Sequence, residues 1–195
     1  MTWLNIAHIV EATEAEGPGL RFVVWVQGCL KRCRGCCNGD LLKIRPAHIM
    51  SSTQIKEQLF QAKQKYSNLE GITFLGGEPF LQAQGLADIA QLAQQMGLSV
   101  MVFTGYLLEE LNEQQFSGSL KLLTYTDVLI DGEFDQNQQE TERNWVGSRN
   151  QKFHYLSNFY SNEIEKHALN VTNEWRVDLQ GQVKGNGLPF KANIK

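Results

Sequence analysis

Residues 20–36 read LRFVVWVQGCLKRCRGC and combine a strand signal with a cluster of cysteines. The first part, Leu20–Gln27, is an apolar and β-rich run with glycines on both sides, which predicts a buried strand. The cysteines follow this run directly. We therefore expect a cysteine loop at the carboxyl end of a core strand, and the rest of the chain is interpreted around it.

The cysteines at positions 29, 33 and 36 have the spacing Cys-x3-Cys-x2-Cys. Three thiolates this close together can bind three irons of a cubane cluster. They leave the fourth iron without a protein ligand, whereas an Fe–S cluster normally takes four cysteines. The spacing therefore favours an Fe–S cluster with one iron open to another ligand.

Zinc is the commoner metal at clustered cysteines, but zinc sites usually split their ligands into two short pairs joined by a longer loop. Here the four cysteines of the chain all lie within residues 29–37. Cys36 and Cys37 are adjacent and cannot easily face one metal together. For Cys37 the alternatives are a spare ligand, a redox thiol and a small buried side chain, and we expect the last. A disulfide framework is disfavoured, because one knot of cysteines would connect no distant segments. Zinc stays open as an alternative.

The composition is typical of a globular domain, and the length of 195 residues predicts a single domain over residues 1–195 with a substantial core. The net charge of −3 gives no general attraction to nucleic acid or to an anionic membrane. The sequence has no apolar run long enough for a transmembrane helix, and its start lacks the features of a signal peptide. With clustered reduced thiols, these features predict a cytoplasmic protein with no nucleic-acid or membrane partner.

Strand and helix signals alternate after the cysteines, which predicts a parallel sheet with crossover helices. In such sheets the site lies at the carboxyl ends of the strands. A polar loop is predicted over residues 131–145, and a hairpin at the end of the chain with its turn at Gln180–Gly181. The predicted strands are 71–75, 98–103, 127–130, 173–178 and 182–184, and the predicted helices are 53–66 (with Ser52 or Thr53 as the N-cap), 83–96 (closed by Gly97) and 107–115.

A second motif, FLGGEP at residues 74–79, follows the strand predicted over 71–75. Its glycines allow a ligand to approach the backbone closely, and Glu78 can pair with an ammonium group. Alone, this motif is equally compatible with a plain strand-to-helix turn. Together with the cysteine motif it resembles the radical S-adenosylmethionine (SAM) superfamily. Further segments occur in the same order as in the small glycyl-radical-enzyme activases of that superfamily, namely residues 17–21, 27–38, 104–106, 127–132 and 147–151.

The resemblance implies a fold and a set of site residues. The fold would be α/β, an incomplete TIM-type barrel of parallel strands with crossover helices, open on one side, followed by the hairpin. Cys29, Cys33 and Cys36 would ligate a [4Fe–4S] cluster whose open iron binds SAM. The other residues implied to contact SAM or lie near it are Gly76, Gly77 and Glu78, which would hold its amino group, and Asp131, Ser148 and Asn150.

The resemblance also implies a reaction, in which SAM is cleaved reductively to a 5′-deoxyadenosyl radical. That radical would install a glycyl radical on a partner enzyme of the anaerobic ribonucleotide reductase type, with a low-potential electron donor such as flavodoxin or ferredoxin. No cysteine lies outside residues 29–37, so no auxiliary cluster is expected. The alternatives are a radical SAM enzyme that modifies another protein, a peptide or a nucleoside, and a non-enzymatic Fe–S or zinc protein. One departure from the activases is Cys37, since an aromatic residue there usually flanks the adenine.

The cysteine assignment predicts a clear difference between the four thiols. Cys29→Ala, Cys33→Ala and Cys36→Ala should each abolish a stable cluster, because a cubane held by two thiolates is readily lost. Cys37→Ala should keep the cluster. Iron and sulfide content after anaerobic reconstitution measures both outcomes. An equal loss of iron in the Cys37 variant would contradict the assignment of three ligands.

Overall fold

A computed structural model of the chain describes residues 2–113, 116–167, 171, 173–177 and 179–187. In this structure a seven-stranded sheet has helices against one of its faces. Its strands are β1 (Trp3–Thr13), β2 (Leu20–Val26), β3 (His48–Ser51), β4 (Leu69–Gly76), β5 (Ser99–Phe103), β6 (Val128–Asp131) and β7 (Lys152–Tyr155). The helices are α1 (Ser52–Lys65), α2 (Ala83–Gln95), α3 (Leu108–Asn112) and α4 (Ser119–Thr124), and a separate hairpin consists of β8 (Asn173–Val177) and β9 (Val183–Gly187).

The strands lie in the order β3-β1-β2-β4-β5-β6-β7. The centre of the sheet, from β2 to β6, is parallel. The strands outside it, β1, β3 and β7, pair in antiparallel fashion. This order confirms the predicted α/β fold with a largely parallel sheet, and the separate hairpin confirms the predicted C-terminal one. The incomplete TIM-type barrel stays a prediction.

Both faces of the central strands are buried, which explains the continuous apolar run of β2. Phe22 and Val24 belong to the large core between the sheet and the helices. Val23 and Trp25 point to the opposite face, where they pack with Leu75 in a smaller apolar cluster. In the described part of the chain, none of the four α-helices contributes a residue to the apolar clusters of this second, helix-free face, where the short 3-10 turns supply Leu41 and Ile164.

Three strands, β1, β3 and β7, are absent from the prediction because their sequences carry weak signals. In β1 only Leu4, Ile6 and Thr13 are buried, so polar and half-exposed residues interrupt the apolar pattern. β3 and β7 have four residues each, and most of these residues are exposed or half-buried. Pairing with the neighbouring strand rather than local composition decides their structure.

The predicted element ends are close to those observed, with one incorrect cap. The N-cap of α1 is Ser51 rather than Ser52 or Thr53. The Ser51 hydroxyl accepts a hydrogen bond from the Gln54 backbone amide at 3.2 Å, and Gln54 Oε1 accepts one from the Ser51 backbone amide at 2.8 Å. Gly97 follows α2 with φ of 72°, as predicted. Residues 114–115 of the predicted helix 107–115, and residue 178 of the predicted strand 173–178, lie outside the described residues.

A fully buried arginine, Arg21, lies on the helix-free face where the parallel strands begin. Its guanidinium joins three strands with the segment that follows β7, because Tyr160 accepts a hydrogen bond from it and donates one to Glu70. The other acceptors of the guanidinium are Thr73 Oγ1 (2.7 Å), Ile72 O (2.8 Å), Pro18 O (2.9 Å), Ser99 Oγ (3.0 Å) and Ser99 O (3.3 Å).

Arg21→Met should therefore lower the free energy of unfolding by about 3–5 kcal/mol, because several buried acceptors lose their donor together. Urea unfolding of the apoprotein measures this loss. Lys65→Met is a matched control, since Lys65 forms an exposed ion pair with Glu11 at 2.8 Å, and it should leave the unfolding midpoint unchanged. A similar midpoint for the two variants would show that the Arg21 network contributes little to stability.

Candidate functional site

Four loops follow the parallel strands β2, β4, β5 and β6, and side-chain and backbone hydrogen bonds connect them at one edge of the sheet. The Glu78 amide donates to the Gly28 carbonyl at 2.8 Å. The Thr104 hydroxyl donates to Glu78 Oε1 at 2.9 Å. The Leu108 amide donates to Asp131 Oδ2 at 2.8 Å, which joins α3 to the end of β6. The four loops therefore lie together at the carboxyl ends of the strands, the edge at which the sequence predicts the site.

Gly76 and Gly77 lie directly against the backbone that leads into the cysteine loop. The Gly77 amide donates to the Val26 carbonyl at 2.8 Å, and a Cβ atom at Gly77 would lie 2.3 Å from the Gly28 carbonyl oxygen. Gly76 has φ of 108°, a conformation that favours glycine. The two glycines therefore allow close approach of the protein's own backbone, and their predicted contact with SAM stays a prediction.

The Glu78 carboxylate is almost completely buried, with 1% of the residue exposed. Oε1 accepts hydrogen bonds from the Phe80 amide and the Thr104 hydroxyl, and Oε2 accepts one from the Gly105 amide, each at 2.9 Å. Burial raises the pKa of Glu78 to about 7, although these three donors and nearby Lys31 oppose the shift. Glu78 therefore joins the loops that follow β4 and β5.

The predicted cluster ligands lie on one loop, with Cys29 buried and Cys33 and Cys36 half-buried. Cys37 is exposed, so the prediction that it is a buried side chain is wrong. Shortly after Cys37 comes a short helical turn, Gly39–Leu41, none of whose residues is buried, so Cys37 lies in a surface segment.

The four thiols are free, and their environments differ. Burial raises the pKa of Cys29, and it raises the pKa of Cys33 to about 11. A hydrogen bond from Cys37 lowers the pKa of Cys36. Among the described residues, no three His, Cys, Asp or Glu side chains are arranged to hold a metal ion. As a donor set, three free thiols on one loop fit an Fe–S cluster.

Lys31, between the first two cysteines, is a site residue that the sequence did not reveal. Its ammonium lies 3.3 Å from Glu133 Oε1, 3.4 Å from Glu110 Oε2 and 4.2 Å from the centre of the Tyr106 ring. Burial opposes its charge, but the hydrogen bond to Glu133 and the attraction of Glu110 outweigh this effect and raise the pKa of Lys31. An isolated lysine in a loop has no sequence signal that distinguishes it from a solvated one.

Asp131 and Asn150 each have a buried oxygen without a hydrogen-bond partner. Asp131 is 1% exposed, and its Oδ1 is unpaired. His154 Nε2 lies 2.9 Å from Asp131 Oδ2 but outside hydrogen-bonding geometry. Asn150 Nδ2 donates to the Glu133 carbonyl at 2.7 Å, while Asn150 Oδ1 is unpaired. Unpaired buried acceptors are costly, so these two oxygens are available to donors from a ligand.

Ser148 is fully buried, and its hydroxyl contacts residues of its own loop. Its hydroxyl accepts a hydrogen bond from the Asp135 amide at 3.1 Å and lies 3.4 Å from Gln151 Oε1. A cavity of about 330 Å³ borders this loop and the cysteine loop, and Asn150 lines it. Its other lining residues are Arg34, Glu133, Phe134, Asp135, Gln136 and Asn137. Asn150 thus lies at a cavity, whereas Ser148 stabilises the loop of residues 135–151 from inside.

The profile of the 4Fe-4S single cluster domain family matches residues 15–154 of the chain. The anaerobic ribonucleoside-triphosphate reductase-activating protein of Enterobacteria phage T4 is 30% identical over 154 residues, which cover 76% of this chain and 92% of the phage protein. The protein of the same name from Escherichia coli K12 is 31% identical over 145 residues (72% and 91%), and that of Vibrio cholerae is 32% identical over 143 residues (71% and 89%).

The chain belongs to this family. The family's cofactor is a [4Fe–4S] cluster, which favours iron over the zinc that the cysteine spacing left open. The matched segment contains the three predicted ligands, the Gly76–Glu78 loop, Asp131, Ser148 and Asn150. In the described part of the chain, no helix is long and apolar enough to span a membrane.

Two buried carboxyl groups predict that the free energy of unfolding falls as the pH rises. Burial raises the pKa of Glu78, and that of Glu16, from 4.5 to about 7. The folded state therefore binds these protons more tightly than the unfolded state. Each group contributes about 3 kcal/mol to the free energy of unfolding. This contribution is complete below about pH 4.5 and is lost as the pH rises through about 7.

Glu78→Gln should reduce this pH-dependent loss by about half, because Glu16 still titrates in the variant. Urea unfolding of the apoprotein at about pH 5 and about pH 8 measures the difference. Glu109→Gln changes an exposed carboxylate beside the same loops and is the matched control. An identical pH dependence for the Glu78 variant and the wild type would show that Glu78 is not a buried proton carrier.

Proposed function

We propose that the chain is a radical SAM enzyme that installs a glycyl radical on an anaerobic ribonucleoside-triphosphate reductase. The observation that supports this most strongly is the junction of the cysteine loop with the Gly76–Glu78 loop. It occurs in a chain that is 30–32% identical to reductase-activating proteins over about nine tenths of their length. We assign the whole chain, residues 1–195, to one radical SAM domain.

In this proposal Cys29, Cys33 and Cys36 hold the [4Fe–4S] cluster, and Gly76, Gly77 and Glu78 receive the amino group of SAM. When bound, the cluster supplies the electron that cleaves SAM to methionine and a 5′-deoxyadenosyl radical, which takes the α-hydrogen of a glycine. An ammonium group beside the buried Glu78 carboxylate would favour its ionised form.

Other residues support the bound SAM and protect it from water. The unpaired oxygens of Asp131 and Asn150 would accept hydrogen bonds from SAM hydroxyl or amino groups. Ser148 keeps the loop over residues 135–151 in place through the Asp135 amide. On the helix-free face, Trp25 and Leu75 form an apolar surface beside the strand ends, which would exclude water from the reaction.

The curvature of the sheet and the loop after β6 concern the contacts of the chain with its partner proteins. We infer that the sheet is curved as an incomplete TIM-type barrel whose open side admits a glycine-bearing segment of the reductase. The polar loop over residues 131–145 follows β6 at the site edge, and most of its residues from 135 to 142 are exposed, so we assign it to docking. A low-potential donor, flavodoxin or ferredoxin, supplies the electron, and the reaction takes place in the cytoplasm.

The proposal predicts transfer of one hydrogen atom from the reductase to SAM. The reduced protein, SAM and an unlabelled reductase should give a doublet in the electron paramagnetic resonance spectrum, because one α-hydrogen remains on the radical glycine. With α-deuterated glycine this doublet should collapse. Deuterium should appear in 5′-deoxyadenosine. Without the reductase, SAM cleavage should be slow and uncoupled. Cys33→Ala is the control, and it should give neither the doublet nor cleavage.

Two negative results have different meanings. If SAM is cleaved but the reductase of the same genome never acquires a radical or transfers deuterium, the assignment of the partner is wrong. If no SAM is cleaved by protein that carries a full complement of iron and sulfide, the radical SAM assignment itself is wrong.

A further inference from the structure

The side chain of Lys31 lies at the centre of the site edge, although its backbone belongs to the cysteine loop. It is 17% exposed and lies within 3.5 Å of carboxylates from two other segments, Glu110 of α3 and Glu133 after β6. The ring of Tyr106, after β5, packs under the same ammonium. One side chain thus connects the segment between Cys29 and Cys33 to the loops that follow β5 and β6.

The stem of Lys31 also makes a packing contact that leads to Glu78. A Cβ atom at Gly105 would lie 3.1 Å from Lys31 Cγ, so the lysine stem rests on the Gly105 backbone. The amide of Gly105 in turn donates to Glu78 Oε2 at 2.9 Å. A continuous series of contacts therefore runs from the cysteine loop, through Lys31 and Gly105, to the carboxylate assigned to SAM.

Charge gives Lys31 a second effect at this position. Glu133 Oε2 lies 3.7 Å from Cys33 Sγ, while Lys31 lies against Oε1 of the same carboxylate. Iron ligation requires a cysteine thiolate, which would bring two negative groups together at Glu133 and Cys33. The Lys31 ammonium offsets this repulsion from within the loop itself.

We propose that Lys31 is a positioning residue that holds the cysteine loop against the Glu78 side of the site and balances the negative charge of the cluster. The inference rests on the proposed function only in taking Cys29, Cys33 and Cys36 as the cluster ligands. It assigns to Lys31 a contribution to cluster retention and to cluster potential, and no contact with the reacting atoms.

Three variants test the inference on anaerobically reconstituted protein. Lys31→Met removes the charge and keeps most of the stem, and Lys31→Arg keeps the charge. Lys43→Met makes the same change at an exposed lysine shortly after the cysteine loop and is the matched control. We expect iron loss to a chelator to be about tenfold faster in Lys31→Met, which corresponds to about 1.4 kcal/mol. Lys31→Arg and Lys43→Met should lose iron at the wild-type rate.

The midpoint potential of the cluster separates positioning by charge from general loosening of the fold. In Lys31→Met the potential should become more negative, because a nearby positive charge favours the reduced cluster. Glu133→Gln removes a negative charge from the same pair and should shift the potential in the opposite direction. The Glu133→Gln variant also keeps the test decisive if Lys31→Met fails to fold. The circular dichroism spectrum of each apoprotein shows whether that variant has folded.

The outcomes are distinguishable from a failure of the proposed function. Equal iron loss and equal potentials in Lys31→Met, Lys43→Met and the wild type would overturn the role of Lys31 alone. Faster iron loss with an unchanged potential in both the Lys31 and Glu133 variants would overturn the charge effect. A wild-type protein that never assembles a [4Fe–4S] cluster would overturn the proposed function as well.

Discussion

The contact between two backbone segments, Gly76–Glu78 and Val26–Gly28, is the constraint on which the site depends. Parallel pairing of β2 with β4 continues past the strand ends, because the Gly77 and Glu78 amides bond to the Val26 and Gly28 carbonyls at 2.8 Å. A side chain at Gly77 would collide with the Gly28 carbonyl and separate the loops. The cysteine loop and the Glu78 carboxylate therefore adjoin because two glycines permit this close approach.

Buried charged side chains stabilise both ends of the parallel strands. At the carboxyl ends, the buried carboxylates of Glu78 and Asp131 accept amide hydrogen bonds from the neighbouring loops. At the amino ends, the buried Arg21 guanidinium donates to several acceptors on the helix-free face. The Lys31 ammonium also lies at the carboxyl-end edge, so this edge carries charges of both signs.

The C-terminal segment adds contacts beyond residues 15–154, the part that matches the family profile. The polar side of the hairpin faces the end of β1: Asn186 Nδ2 donates to Thr13 Oγ1 at 3.1 Å, and the Gly187 amide donates to Glu16 Oε1 at 2.6 Å. Burial raises the pKa of Glu16 to about 7, although the hydrogen bonds from Asn186 and Gly187 oppose the shift. The hairpin forms a separate sheet of its own and is attached to the end of β1 and to Glu16 by these hydrogen bonds.

The sequence by itself determined the parallel centre of the sheet, the loop with Cys29, Cys33 and Cys36, and the Gly76–Glu78 loop beside it. Continuous apolar runs and glycine turns are local signals, so these elements need no knowledge of distant residues. Only the tertiary structure decided that Cys37 is exposed, that Lys31 connects three loops, and that Asp131 Oδ1 and Asn150 Oδ1 are left unpaired. Each of these depends on which side chains meet across segments far apart in the chain, and the residue types involved are equally common on solvated surfaces.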